Sequence, residues 1–282
     1  MPTFETPEPI SAVIDLPLGE VNIVASDRSD TAVEVRPTDA NSADDVRLAE
    51  QTRIDFSNGN LVVKAPRTWR DYLPMRTSGS IDVTVELPEG SQLRGDAGAG
   101  TFRSQGRLGA CKFKTGAGDL RLASTGALDV ATGLGTVNVE EVHGSAQVTT
   151  GSGEVHLGSV DGDVSVKNAN GDVYIGAATG VVKCRAANGK IAVERAESDL
   201  TAKSANGAIR VGQLTRGSAS LGTALGDIEI GLRAGTAARL DVDTKFGRLR
   251  NELDAAAAPE PTDERVEVRA RTAAGDVIVR RA

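Results

Sequence analysis

The sequence predicts an all-β protein: a parallel, right-handed β-solenoid of about 18 residues per coil, with two short strands in each coil and an N-terminal β cap. Two observations carry this prediction. Glycines recur at nearly regular intervals, and each is followed by alternating apolar and polar residues. A nearly fixed period is typical of one structural unit repeated along the chain. The recurring glycines are Gly100, Gly118, Gly135, Gly153, Gly171, Gly189, Gly207, Gly226 and Gly247.

Each repeat contains two short segments with strand periodicity. Residues 171–175 read GDVYI and residues 189–193 read GKIAV, so the second and fourth residues after the glycine are apolar. The residues seven and five positions before each glycine are also apolar, as in Val182 and Cys184. Alternation of this kind indicates a strand with one buried face. Because one repeat cannot bury its own apolar face, the repeats must stack as coils, with the right-handed connections usual for parallel strands.

The glycines are predicted to occupy tight turns, because glycine accepts a positive φ without steric cost. We assign structural turn positions to Gly118, Gly135, Gly153, Gly171, Gly189 and Gly207. Asn170, Asn188 and Asn206 directly precede three of these glycines and therefore recur with the same period. Their side chains are expected to stack as an amide ladder.

Four segments follow from this pattern. Residues 1–95 lack the glycine period and are predicted to form an N-terminal β cap continuous with the solenoid, with strands over 10–16, 20–25, 31–36 and 81–87. A hairpin turn is predicted at Asn58-Gly59, and the one helix candidate is 42–53. Residues 96–253 form the regular coils, 254–264 a loop and 265–282 the strands that close the C-terminal end.

Composition narrows the function. The net charge of −7 and the pI near 5.1 argue against non-specific nucleic-acid binding as the main role, and no specific nucleic-acid partner is expected. No stretch of apolar residues is long enough for a transmembrane helix, and the N-terminus has neither the basic nor the apolar region of a secretory signal, which predicts a cytoplasmic protein. Cys111 and Cys184 fall on inward positions of different coils, so we expect two buried thiols and no disulfide.

No catalytic residue, metal site or cofactor is predicted. In calcium-binding β-roll repeats an Asp stands two residues after a glycine, whereas Asp119, Asp172 and Asp227 follow their glycines directly. The outward column three residues after each glycine contains no pair of carboxylates suited to glycoside hydrolysis. His143 and His156 have no further ligands of metal-site spacing.

Two features are candidate binding surfaces. Lys167, Arg185 and Lys203 lie one period apart, so they should stack in one outward column, with Lys183 in the neighbouring column. Like charges about 5 Å apart repel by roughly 1 kcal/mol in water, and an acidic partner would relieve that repulsion. The second candidate is the irregular segment 65–79, which carries Trp69, Arg70 and Tyr72. Such a mixture of aromatic and basic residues is common at the centre of protein interfaces.

Several segments resemble a known family. Residues 115–120 (TGAGDL), 150–155 (TGSGEV) and 169–173 (ANGDV) are similar to repeats of the "putative adhesin" family of bacterial β-strand-repeat proteins, domain-of-unknown-function family 4097. The opening segments 6–11 and 21–28 resemble its actinobacterial cytoplasmic branch. The resemblance covers roughly residues 10–280. It implies the solenoid fold and brings no catalytic residues with it.

These observations favour a non-catalytic scaffold or adhesin-like module for protein–protein interaction. A carbohydrate-binding or polysaccharide-processing β-helix and a self-assembling filament subunit are the alternatives. The expected partner is a protein, and an anionic polymer or a glycan is the second class. We expect a monomer, with end-to-end association as the alternative.

Overall fold

The structure is a computed structural model that describes residues 1–66, 79–234, 236–253 and 265–282. In these ranges the chain forms 25 β-strands and one α-helix, and it divides into two compact units, unit 1 (residues 1–141) and unit 2 (residues 142–282). The predicted all-β fold of stacked parallel coils is confirmed. Equivalent strands of successive coils pair in parallel, as in β14 to β16 over Val164–Asn170 and Val182–Asn188.

Unit 1 contains the helix and the first eleven strands, except for Val142, the last residue of the eleventh strand, which belongs to unit 2. They are β1 (Thr3–Glu5), β2 (Ser11–Ser26), β3 (Asp30–Pro37), α1 (Ala43–Gln51), β4 (Arg53–Ser57), β5 (Asn60–Lys64), β6 (Ile81–Pro88), β7 (Gln92–Arg107), β8 (Cys111–Ala117), β9 (Leu120–Thr125), β10 (Leu128–Leu134) and β11 (Val137–Val142).

The first coil of unit 1 is a single long strand. The sequence predicts two strands, over 10–16 and 20–25, but β2 runs without interruption through both. Along one edge, its first half pairs with β5 and its second half with β6. Along the other edge it pairs with β7. The first coil in the sequence therefore lies between two coils that follow it in the sequence. Pairing along both of its edges anchors the start of the chain.

Antiparallel strands cover the outer coil of unit 1, which β5 and β6 form. β4 pairs with β5 through the predicted hairpin, where Asn58 and Gly59 have φ values of 49° and 72°. β3 pairs with β6, and β1 pairs with β3. The helix α1 lies within the predicted segment 42–53, and the Ser42 hydroxyl accepts a hydrogen bond from the Asp45 N–H at 3.3 Å, which caps its first turn.

Unit 2 contains the remaining strands. They are β12 (Ala146–Ser152), β13 (Val155–Val160), β14 (Val164–Asn170), β15 (Val173–Ala178), β16 (Val182–Asn188), β17 (Ile191–Ala196), β18 (Leu200–Asn206), β19 (Ile209–Leu214), β20 (Gly217–Leu225), β21 (Ile228–Leu232), β22 (Ala237–Phe246), β23 (Leu249–Asn251), β24 (Arg265–Ala274) and β25 (Val277–Arg281).

The core of unit 2 consists of the predicted apolar columns. Val173 pairs with Ile191, and Ile191 pairs with Ile209 in the next coil. All three side chains are at most 1% exposed. The thiols of Cys111 in unit 1 and Cys184 in unit 2 are buried as predicted, and burial raises the pKa of each to about 12. Thiols of this kind act as small apolar core groups.

The coils at the end of unit 2 do not follow the order of the sequence. β24 pairs with β20 on one side and with β22 on the other, and β25 likewise lies between β21 and β23. The last strands of the chain, expected to close this end, instead fill the space between two earlier coils. Val268 and Ala270 of β24 are fully buried there, whereas Leu240 and Val242 of β22 are only half-buried. The more apolar coil thus takes the position that is covered on both sides.

The turn glycines bring the backbones of neighbouring coils into close contact. Gly189 has a φ of 136°, and a Cβ atom there would lie 2.1 Å from the Gly171 carbonyl oxygen. The predicted amide ladder forms beside it: Asn188 Nδ2 donates to Asn170 Oδ1 and Asn206 Nδ2 donates to Asn188 Oδ1, both at 2.8 Å. These contacts fix the vertical register of the coils and hold the outward side chains in columns.

Candidate functional site

The basic column is formed by Lys167, Arg185 and Lys203 on three neighbouring strands. Lys167 pairs with Arg185 in the ladder of β14 and β16, and Arg185 pairs with Lys203 in the ladder of β16 and β18. All three side chains are exposed, because the residues that alternate with them in each strand point into the core. Parallel strands lie about 4.7–4.9 Å apart, which sets the spacing of the three cations.

Lys183 adds a fourth exposed cation. It precedes Arg185 by two residues on the same face of β16, a separation of about 7 Å along the strand. Its ladder neighbours are the uncharged residues Ser165 and Thr201. The basic column itself is bounded by Thr149 on one side and Gly222 on the other. The four cations therefore form one compact group with neutral borders.

The charge of this group is not compensated. Within the described part of the chain, none of the four cations forms an ion pair. The same two outward columns continue into β24, where Arg269 is paired with Glu267 at 2.8 Å and Arg271 with Asp241 at 3.4 Å. Neutralised and unneutralised cations thus stand on the same face of unit 2. The basic column is the part of that face that is chemically suited to an acidic ligand.

The other predicted binding residues cannot be placed in the same way. Trp69, Arg70 and Tyr72 lie outside the described residues. The structure therefore does not test whether this segment is a binding surface.

The aspartates that follow the turn glycines have a structural role that the sequence analysis missed. Asp172 Oδ1 accepts a hydrogen bond from the Lys190 N–H in the next coil at 2.8 Å, and Asp119 Oδ1 accepts one from the Thr136 N–H at 2.9 Å. Asp227 does the same for the N–H of Asp276 at 2.8 Å. A carboxylate in this position links consecutive turns. The signal was present in the repeated Gly-Asp pairs, which sequence reasoning tested only as calcium ligands.

A second cationic feature of unit 2 is a recess of about 420 Å³ at the turns that follow β17, β19 and β21. Three guanidinium groups and one carboxylate line it, and Arg216 Nε donates to the Glu197 carbonyl oxygen at 2.9 Å. The sequence analysis did not find it, because it examined the columns before and just after the turn glycines and not the turns that follow these strands. The lining residues are Arg195, Glu197, Gln213, Thr215, Arg216 and Arg233.

Comparison with known proteins identifies the family. The family model described as "Toastrack DUF4097" matches residues 13–280, so the chain belongs to this family. This agrees with the family resemblance of the repeat segments. No curated protein matches the chain.

Solved structures that match the chain include two bacterial proteins described as putative adhesins. One, from Parabacteroides merdae, has 13% sequence identity and a TM-score of 0.41, with 100% of this chain and 95% of that chain covered. The other, from Bacteroides fragilis, has 10% identity and a TM-score of 0.32, with 99% and 95% covered. Among the described residues, no helix has the length and apolar character needed to span a membrane.

Proposed function

We propose that this protein is a non-catalytic scaffold that binds an acidic protein partner through the basic column of unit 2. The observation that carries the proposal is the register that stacks Lys167, Arg185 and Lys203 without an acidic neighbour. A chain with a net charge of −7 has carboxylates to spare for neutralising this group. An acidic segment docked along the column would remove the repulsion between neighbouring cations and form several exposed ion pairs at once.

The energetics favour an elongated partner. A single exposed ion pair contributes about 0.2–1 kcal/mol, which is too little for recognition by itself. Carboxylates of an extended segment can contact all four cations in one binding event, so that the contributions combine. The rigid coil stacking also keeps the cations in place before binding, which lowers the ordering cost. Membership in an actinobacterial branch stays a prediction.

The test uses labelled poly-L-glutamate as the acidic probe and fluorescence anisotropy as the readout. A variant with Lys167→Glu, Arg185→Glu and Lys203→Glu should bind at least about tenfold more weakly than the wild type, because three attractive contacts become repulsive. The matched control is Arg195→Glu, Arg216→Glu and Arg233→Glu, which changes the net charge equally at the recess of the same unit. Equal affinities of the wild type and the column variant would contradict the proposal.

A glycan array with the same three proteins separates the carbohydrate alternative. The acidic-partner proposal predicts no signal from neutral glycans. Binding of a neutral glycan that persists when the basic column is reversed would favour carbohydrate recognition instead.

A further inference from the structure

The outermost described coil of unit 2 has a free edge. The ten-residue strand β22 pairs with β24 along one edge, and no other strand pairs with it within residues 142–234, 236–253 and 265–282. Among these residues, no strand satisfies the backbone N–H and C=O groups on its opposite edge. An edge strand of this length is a template for a further strand.

The apolar core is also open at this coil. Leu240 and Val242 are half-buried, although their ladder neighbours Val268 and Ala270 are fully buried. On β23, Leu249 is 49% exposed, whereas its neighbour Val277 is completely buried. A continuous apolar surface with a polar surround is typical of a protein interface.

Phe246 extends the apolar surface around the corner of the coil. It is 76% exposed, and it belongs to the column in which Leu225 is 56% exposed. Earlier in unit 2 this column carries the asparagine ladder, since Asn206 pairs with Leu225. Within unit 2, the column changes after Asn206 from amides to the apolar residues Leu225 and Phe246.

The charges on β22 indicate what covers the edge. Its outward residues read Arg239, Asp241, Asp243 and Lys245. Asp241 is paired with Arg271 of β24 at 3.4 Å. In the described part of the chain, Arg239 and Asp243 have no ion-pair partner. Arg239 and Asp243 thus stand on either side of Asp241, whose charge is already neutralised.

We propose that β22 pairs with β22 of a second copy of this chain, antiparallel and about a two-fold axis at Asp241. In this register Arg239 of each copy stands opposite Asp243 of the other. The interface therefore contains two ion pairs that are related by the two-fold axis. Leu240 stands opposite Val242, which continues the core across the interface. Such an interface is self-complementary, and it closes after two copies.

One neighbouring register and one other form of assembly are less favourable. A two-fold axis at Val242 would place Arg239 opposite Lys245 and Asp241 opposite Asp243, and like charges directly opposite each other destabilise a sheet. In the chosen register the two Asp241 carboxylates face each other, but each is held by its own Arg271. The outer coil of unit 1 is covered by β3 and β4, so a dimer is favoured over an open filament.

The test is the oligomeric state of the full chain, measured by sedimentation velocity over a range of concentrations. The wild type should dimerise. Arg239→Asp and Asp243→Arg should each weaken the dimer at least about tenfold, because two attractive cross-strand pairs become repulsive. Combining the two substitutions reverses both charges and should restore the affinity of the wild type. Both side chains are exposed, so the fold of the monomer is not at risk.

The following results would contradict the proposal. A wild type that stays monomeric at every concentration would overturn the proposal, as would single variants that dimerise as well as the wild type. Single variants that are weakened but not rescued in combination would refute the pairing of Arg239 with Asp243. The control is Lys203→Glu, which alters the basic column and should leave dimerisation unchanged.

Discussion

The two units share one scaffold but carry different charges on equivalent surface positions. In unit 1, the position six residues before the turn glycine holds Arg94, Lys112 and Asp129 in neighbouring strands, and Lys112 Nζ lies 2.6 Å from Asp129 Oδ2. The position four residues before the glycine holds Asp96 and then Lys114. In unit 2, the latter position holds the three cations of the basic column.

This difference distinguishes a charge arrangement that stabilises the sheet from one that suggests a binding role. Charges of both signs in a cross-strand column stabilise the sheet, and unit 1 shows that this repeat accommodates them. A column of like charges lowers stability. In unit 1 the two cations Arg94 and Lys112 are followed by Asp129, whereas unit 2 has three successive cations. Sites that depart from the locally favoured arrangement are where function is expected.

The largest expected loss of stability tests the turn glycines, which both units share. Gly118→Ala in unit 1 and Gly189→Ala in unit 2 should each lower the free energy of unfolding by about 3 kcal/mol or more. Both glycines have a positive φ, of 133° and 136°, and a Cβ would lie 2.0 and 2.1 Å from the carbonyl oxygen of the coil before. Denaturant titrations can be followed by labelling of the buried thiols, with Cys111 reporting on unit 1 and Cys184 on unit 2. A loss below about 1 kcal/mol in either unit would refute the backbone-contact role.

The next effect tests a feature of unit 2 alone. Asn188→Ala removes the amide that donates to Asn170 and accepts from Asn206, and it should lower the free energy of unfolding by about 1 kcal/mol. In unit 1 the same column has Leu134, which is 57% exposed and paired with Ala117, so Leu134→Ala should change stability much less. Equal losses in the two variants would mean that the ladder adds no stability.

The smallest effect transfers the charge pattern of unit 2 to unit 1. Asp129→Lys creates a column of three cations with Arg94 and Lys112, and it breaks the ion pair at 2.6 Å. The free energy of unfolding should fall by about 0.5–1 kcal/mol at low salt, and added salt should recover part of it. The matched variant Asp129→Asn loses the ion pair without adding a cation. A salt dependence identical in both variants would contradict the repulsion argument.

The repeating fold was accessible from the sequence because its signals are local. The turn glycine and the alternation around Ile191 recur from one coil to the next, and both hold in the structure. The register of Lys167, Arg185 and Lys203 followed from the same period. The hairpin at Asn58-Gly59 was likewise predicted from its own two residues.

The order of the coils at each end was not accessible, because it depends on contacts between distant segments. β2 looks like two short strands until β5 and β6 are known to share its edge. β24 enters between β20 and β22, although β22 precedes it in the sequence, and no local pattern specifies this order. The ion pair of Arg271 with Asp241 joins residues far apart in the sequence. The sequence therefore did not show which cations of this face are neutralised.

The central claim is that the basic column of unit 2 is a binding surface, and one substitution tests it most directly. Arg185→Asp places an anion between Lys167 and Lys203, which reproduces the mixed-sign pattern of unit 1. The measurement is the affinity for labelled poly-L-glutamate at low salt, with the unfolding free energy of the same protein recorded alongside. We expect binding to weaken at least about tenfold while the protein becomes slightly more stable. Unchanged affinity in a protein of raised stability would contradict the claim, because the column would then be a costly arrangement without a ligand.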